Sequence, residues 1–150
     1  MSRYRACNTE IACIDSNAPM IKQIELAFGF DCVQAYIESW IVNLRLFFNV
    51  GRAMNDVQTF ETAQLIVETF PYLNIADVNL VFKRAKIGHY GKIYDRLDGN
   101  VIIDWFNQYF NERCNAAAQR SQREADTYRM RCPDSKERTE EIVRRVFKQK

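Results

Sequence analysis

Apolar residues recur along this chain at helical rather than strand spacing. The clearest run is Val33, Tyr36, Ile37, Trp40, Ile41, Leu44, Phe47 and Phe48, which keeps the i, i+3, i+4, i+7 rhythm of a buried helix face. It predicts the central helix of the core, with Asp31 as its cap and Gly51 as a left-handed terminator. Ahead of it, Asp15-Ser16-Asn17 and Pro19 form a helix start, because a first-turn proline loses no needed N–H. Ile21, Ile24 and Phe28 continue that segment and Gly29 closes it.

A third helix is predicted over 56–70. Asn55 and Gln58 form a capping-box pair, Val57, Phe60, Ala63, Val67 and Phe70 make the stripe, and Pro71 forbids continuation. A fourth runs from Ile75 to Ile87, with Asn74 as cap, Asp77 in the first turn, and Ile75, Val78, Val81, Phe82 and Ala85 facing inward. A connector, Gly88 to Gly99, follows. Asp98 then caps a helix whose apolar face is Ile102, Trp105, Phe106, Tyr109 and Phe110.

Beyond Cys114 the apolar face fades, yet Ala116, Ala117, Ala118, Gln119, Gln122, Glu124 and Ala125 keep helix propensity high. Pro133 interrupts this stretch, and Asp134 with Glu137 resembles a capping-box restart. Ile142, Val143, Val146 and Phe147 give a short final stripe, flanked by the i, i+4 pairs Glu140–Arg144 and Glu141–Arg145. So little apolar surface does not fold alone; it docks or frays. No run alternates with period two. The expected fold class is all-α: a compact helical bundle of five to seven helices over residues 15–112, an N-terminal segment 1–14, and a basic helical extension over 113–150.

Composition sharpens this picture. Of 150 residues, 47% are hydrophobic and 13% aromatic, enough for a real core, which argues against disorder throughout. The net charge of +2 hides an asymmetry. Residues 1–112 carry ten Lys/Arg against thirteen Asp/Glu, a net −3; residues 113–150 carry eleven against six, a net +5. A basic tail suits acidic partners, nucleic acid included, although its six acids also fit a solvated helix of mixed charge. Cys7, Cys13, Cys32, Cys114 and Cys132 are odd in number and lack a C-x-x-C pair, which points to a reducing cytoplasmic setting rather than a disulfide framework. No apolar run reaches the roughly 18–20 residues that span a bilayer, and no secretory h-region follows the basic N-terminus, so no membrane partner is expected.

Candidate chemistry concentrates between Lys83 and Gly99. His89, the sole histidine, has Asp95 or Asp98 as conceivable orienters, but the spacing demands neither. Gly88-x-x-Gly91-Lys92 lacks the remaining positions of a phosphate loop and the strand before it; its likeness to the clamp loop of KH modules lacks the sheet. One histidine and unpaired cysteines supply no zinc site. Neither an enzyme nor a cofactor is expected. Lys83, Arg84, Lys86, Lys92 and Arg96, interleaved with His89, Tyr90 and Tyr94, do match single-strand binding, in which cations track phosphates and rings stack on bases. Arg113, Arg120 and Arg123 extend the basic character into the tail. The competing reading is that the two tyrosines pack on the bundle and the bases are ordinary surface.

The pattern Phe82-x-x-Ala85-x-x-Gly88-x-Tyr90-Gly91-x-x-Tyr94-x-x-Leu97, followed by Ile102-x-x-Trp105-x-x-x-Tyr109-x-x-x-Arg113, resembles small uncharacterised proteins of Bacteroidetes phages and mobile elements. Some of these are similar to helical domains of phage replication proteins of the helicase-loader type. The resemblance covers about a fifth of the chain. It implies a non-enzymatic adaptor of phage or mobile-element DNA replication that contacts a helicase or DNA through the connector and the C-terminal helix. Two other readings stay open. One is an inhibitor that binds a host (anti-defence) protein, and the other a structural protein whose C-terminal helices pair with a second copy.

Overall fold

The structure is a computed structural model that describes residues 4, 6–48, 51–91, 93, 96–131, 140 and 142–145, with the backbone alone at Arg52, Ala53 and Arg131. Lys92, Tyr94, Asp95, the Pro133 break, the Asp134/Glu137 restart, Glu141, Val146 and Phe147 lie outside the described residues. The named helices are α1 (Glu10–Asp15), α2 (Ile21–Phe28), α3 (Phe30–Phe48), α4 (Asp56–Thr69), α5 (Ile75–Lys86) and α6 (Gly99–Arg131). Two short strands, β1 (Arg52–Ala53) and β2 (Arg96–Leu97), pair in parallel, Arg52 opposite Arg96 and Ala53 opposite Leu97. The fold is all-α. The chain divides into two units, Met1–Arg113 and Cys114–Lys150, and each is described by itself.

Three helix starts follow the sequence closely. Asn55 Oδ1 accepts from Gln58 N at 2.8 Å, and Gln58 Oε1 accepts from Asn55 N at 3.0 Å. Asn74 and Asp77 make the same reciprocal box at the head of α5, at 2.8 and 2.9 Å. Asp98 Oδ1 accepts from Val101 N at 3.1 Å to open α6. Each pairing satisfies N–H groups that have no acceptor within the helix.

Other expectations are corrected. Pro19 is not the first helical residue; α2 begins at Ile21, because its first N–H groups find acceptors in the α4–α5 loop. Ile21 N donates to Leu73 O at 2.8 Å and Lys22 N to Pro71 O at 3.0 Å, while Ile75 N donates back to Pro19 O at 3.1 Å. Asp31 lies within the first turn of α3 rather than before it, since α3 already starts at Phe30. Gly51 does not take the left-handed conformation; Gly29, Gly88 and Gly91 do.

The central helix is α5, not α3. Seven consecutive residues, Ala76 to Phe82, are buried, so α5 is covered on all sides over two turns. Helix α3 buries one face, with Val33, Ile37, Ile41 and Leu44 inward, Trp40 part-buried and Phe47 exposed. The α4 stripe is also shifted. Thr59, Thr62, Ala63, Ile66 and Val67 are buried, while Val57 and Phe60 face out. Both threonines return their hydroxyl protons to carbonyls one turn back, Thr59 to Asn55 O and Thr62 to Gln58 O, and so pack as satisfied β-branched side chains. Helix α1, absent from the sequence expectation for residues 1–14, is capped by Thr9 and buries Cys13.

Aromatic rings fill the space between α3, α5 and α6. Phe82 lies parallel to Trp40 at 5.3 Å and edge-on to Phe106 at 5.6 Å. Among the described residues no helix is long and apolar enough to cross a membrane.

Candidate nucleic-acid interface

Lys83, Arg84 and Lys86 occupy the last turn of α5, where cations also meet the negative end of the helix dipole. Helical geometry separates them. Residues three apart share a face, so Lys83 and Lys86 project together and Arg84 projects elsewhere.

Arg84 is an internal clamp. Its Nη1 lies 2.6 Å from Glu10 Oε1 and 2.8 Å from Glu112 Oε2, and its guanidinium stands 5.6 Å from the Tyr109 ring centre. Burial pushes the Glu10 carboxyl up, but the Arg84 hydrogen bond and charge outweigh it and hold Glu10 below its usual value. Arg84 thereby joins α1, α5 and α6. Arg113 is a second clamp, with Nε 3.1 Å from Oδ2 of the fully buried Asp77. Tyr109 donates to Oδ1 of the same carboxylate at 2.6 Å, and Asn74 Nδ2 donates to Cys13 O at 2.9 Å. Burial pushes the Tyr109 phenol far up and the Cys13 thiol up to about 12. Both keep their protons at neutral pH, and the hydrogen bonds of these two residues brace the fold.

Lys83 and Lys86 are placed differently. Lys83 Nζ donates to Asn8 Oδ1, and Lys86 Nζ donates to Asn43 Oδ1. Both acceptors are neutral amides, and neither lysine has a carboxylate partner among the described residues. Lys86 Nζ also stands 5.7 Å from the Trp40 ring centre and 5.2 Å from that of Phe47. Partial burial lowers its pKa. The two ammoniums border a cleft of about 520 Å³ walled by Tyr4, Trp40, Phe47 and Ile87.

In the connector, Gly88 and Gly91 take φ values of 79° and 103°, a conformation that glycine reaches without steric penalty. Between them Tyr90 stacks on Trp105 at 5.9 Å, with 18° between the ring planes. His89 sits edge-on to Tyr90 at 5.0 Å, with Nε2 3.4 Å from Glu112 Oε1. Burial, opposed by the Arg84 charge, raises the Tyr90 phenol. Arg96 is exposed and pairs with Asp98 at 2.7 Å. Lys92 and Tyr94 are outside the described residues. In the second unit, Arg120 pairs with Glu124 at 2.9 Å, and Arg123 borders a shallow depression with Thr127 and Tyr128.

The structure therefore brings Lys83 and Lys86 together and commits Arg84, Arg113 and Tyr90 to interior contacts. It adds Trp40, Phe47, Asn8 and Asn43, which the sequence reading did not place at a site. The available signal was the tandem Phe47-Phe48: adjacent helical residues cannot both face one core. Among the described residues no group of His, Cys, Asp or Glu is placed to hold a metal ion.

Comparison with curated proteins and with solved structures finds no match to the chain. Residues 54–150, about two thirds of the chain, match the model of a family of unknown function, DUF6633, and the chain belongs to that family.

Proposed function

We propose that this chain is a non-enzymatic cytoplasmic adaptor of phage or mobile-element DNA replication that holds single-stranded nucleic acid at the C-terminal end of α5. One observation carries the reading: Lys83 and Lys86 share a face and rest on neutral amides, and Lys86 stands beside the part-buried Trp40 and the exposed Phe47 rings. Ammoniums without carboxylate partners are free to take phosphates, and rings beside them are free to take bases. The mobile-element setting rests on the resemblance of residues 82–113. The role of the arginine-rich residues after Cys114 is to add phosphate contacts or to engage a helicase.

Fluorescence anisotropy of the full chain with labelled single-stranded DNA, titrated across salt, tests this. Neutralising two phosphates on a single strand gives a log–log salt slope of roughly −1.4, and a steeper slope brings in the basic tail. The reading fails if no binding occurs at low salt, or if Lys83→Gln with Lys86→Gln leaves affinity unchanged.

A second reading, docking to a protein, is favoured by Leu26 and Phe28 on α2 and Leu46 on α3, each about three-quarters exposed. Apolar side chains this exposed suit a host target or a second copy. Sedimentation of the chain over a range of concentrations separates self-association from a host partner.

A further inference from the structure

We infer that the cleft between α3 and α5 is a socket for one nucleotide unit, its base against the Trp40 and Phe47 rings and its phosphate on the Lys83 and Lys86 ammoniums. This rests on the single-strand reading and narrows it to one subsite. The cleft volume of about 520 Å³ falls within the roughly 300–1,000 Å³ of small-molecule sites. Three rings, from Tyr4, Trp40 and Phe47, line it, with Ile87 and Asn79 beside them. Rings favour a planar guest over an alkyl chain. Trp40 is braced by its parallel stack on Phe82, so its ring is already positioned and loses little freedom on binding.

Charge points the same way. Two cations on one helix face suit a nucleotide phosphate, a diester of charge about −1 within a strand and a monoester of about −1.5 to −2 in the free mononucleotide. Lys86 lies over both rings and is held by Asn43. A phosphate offers it a charge-assisted bond in place of a neutral amide, and Lys83 makes the same exchange with Asn8. Moving the Lys86 ammonium to the phosphate uncovers the rings for the base. The partial burial that lowers the Lys86 pKa supports this, because a partly desolvated ammonium gains from an arriving anion.

The test is tryptophan fluorescence of the full chain titrated with thymidine 5′-monophosphate, thymidine and inorganic phosphate, beside anisotropy with a labelled oligothymidylate. The nucleotide should quench, and thymidine or phosphate alone should bind at least about tenfold more weakly. Trp40→Phe should abolish the quench, which assigns it to Trp40 rather than Trp105. Phe47 is exposed, so Phe47→Ala should keep the thermal melt and weaken nucleotide binding about fivefold or more. Phosphate binding as tightly as the nucleotide overturns the base socket. Oligothymidylate binding that ignores Phe47→Ala, with no mononucleotide quench, overturns the socket and leaves the single-strand reading standing. Mononucleotide quenching without oligothymidylate binding does the reverse.

Discussion

Arg113 Nε lies 3.1 Å from Oδ2 and 3.2 Å from Oδ1 of Asp77, a carboxylate with no exposure to solvent. Asp77 belongs to the buried helix α5 and Arg113 to α6, so this pair ties α6 to the centre of the fold. Replacing Arg113 by Ala leaves a buried charge with the Tyr109 hydroxyl and the Asn74 N–H as remaining donors. The expected loss is at the low end of the about 3–5 kcal/mol seen when one partner of a buried pair is removed. Urea unfolding of Arg113→Ala, Asp77→Ala and the double variant gives the coupling. A double variant as destabilised as the sum of the singles would refute the pairing.

Asn74 is more than a helix cap. Its Oδ1 accepts from Asp77 N, and its Nδ2 donates to Cys13 O across sixty-one positions of sequence. Asn55 makes the same capping box without the long-range bond. Asn55→Ala should therefore cost about 1 kcal/mol, the usual value for a lost cap. Asn74→Ala should cost more, because the bond that ties α5 to α1 is lost as well, although Ser16 Oγ and N–H still donate to the Cys13 carbonyl at 2.6 and 3.3 Å. Equal urea midpoints for the two variants would show that the α1 contact contributes nothing.

These two asparagines also mark what the sequence discloses. Both caps are local, three-residue patterns, and both were legible. The Asn74–Cys13 bond is not local, and α1 is six residues long, too short to display a periodicity. Its place in the fold depends on α5, which no window of sequence contains. The α4 face departs from its sequence pattern for a different reason. Thr59 and Thr62 look polar, but hydroxyl bonds to the preceding turn let them bury, while Val57 and Phe60 remain outside. At the candidate site, Lys83, Arg84 and Lys86 read as one basic cluster, yet 100° per residue turns Arg84 away toward Glu10 and Glu112. Arg84→Ala should lower the melting temperature, whereas changes at Lys83 and Lys86 should be read in binding.

Gly99 opens α6 against α4. A Cβ at this position would collide with Thr62 Oγ1, whose hydroxyl is fixed by its bond to Gln58 O at 2.7 Å. Helix propensity alone predicts that Gly99→Ala stabilises. Steric contact should win, with a destabilisation of about 1–3 kcal/mol. Thr62→Ala in the same chain removes the obstructing hydroxyl and should restore much of the loss. A thermal melt in which Gly99→Ala alone raises Tm would reverse this ordering.

Cysteine reactivity separates by position. Cys13 is fully buried with its thiol pushed up to about 12, while Cys32 and Cys114 are exposed. Because the thiolate is the nucleophile, iodoacetamide at neutral pH should label Cys32 and Cys114 and spare Cys13 until denaturant is added. Peptide mapping by mass spectrometry reads each site. Labelling of Cys13 as fast as Cys32 in the folded chain would mean that α1 detaches readily from α5.

The Glu10–Arg84 pair gives α1 a pH dependence of definite sign. The folded-state pKa of Glu10 is depressed, so folding favours its ionised form. The stabilisation is complete above the unfolded value, about 4.3, and drains away as pH falls from there through the depressed folded value. Glu10→Gln removes the charge in both states. Its urea midpoint should lie below that of the parent chain at neutral pH, and the gap should narrow as pH drops past the ordinary glutamate range. Arg84 keeps Glu112 in either case, so the variant should remain folded at neutral pH. A gap that stays constant across this range would mean that Glu10 acts through packing rather than through charge.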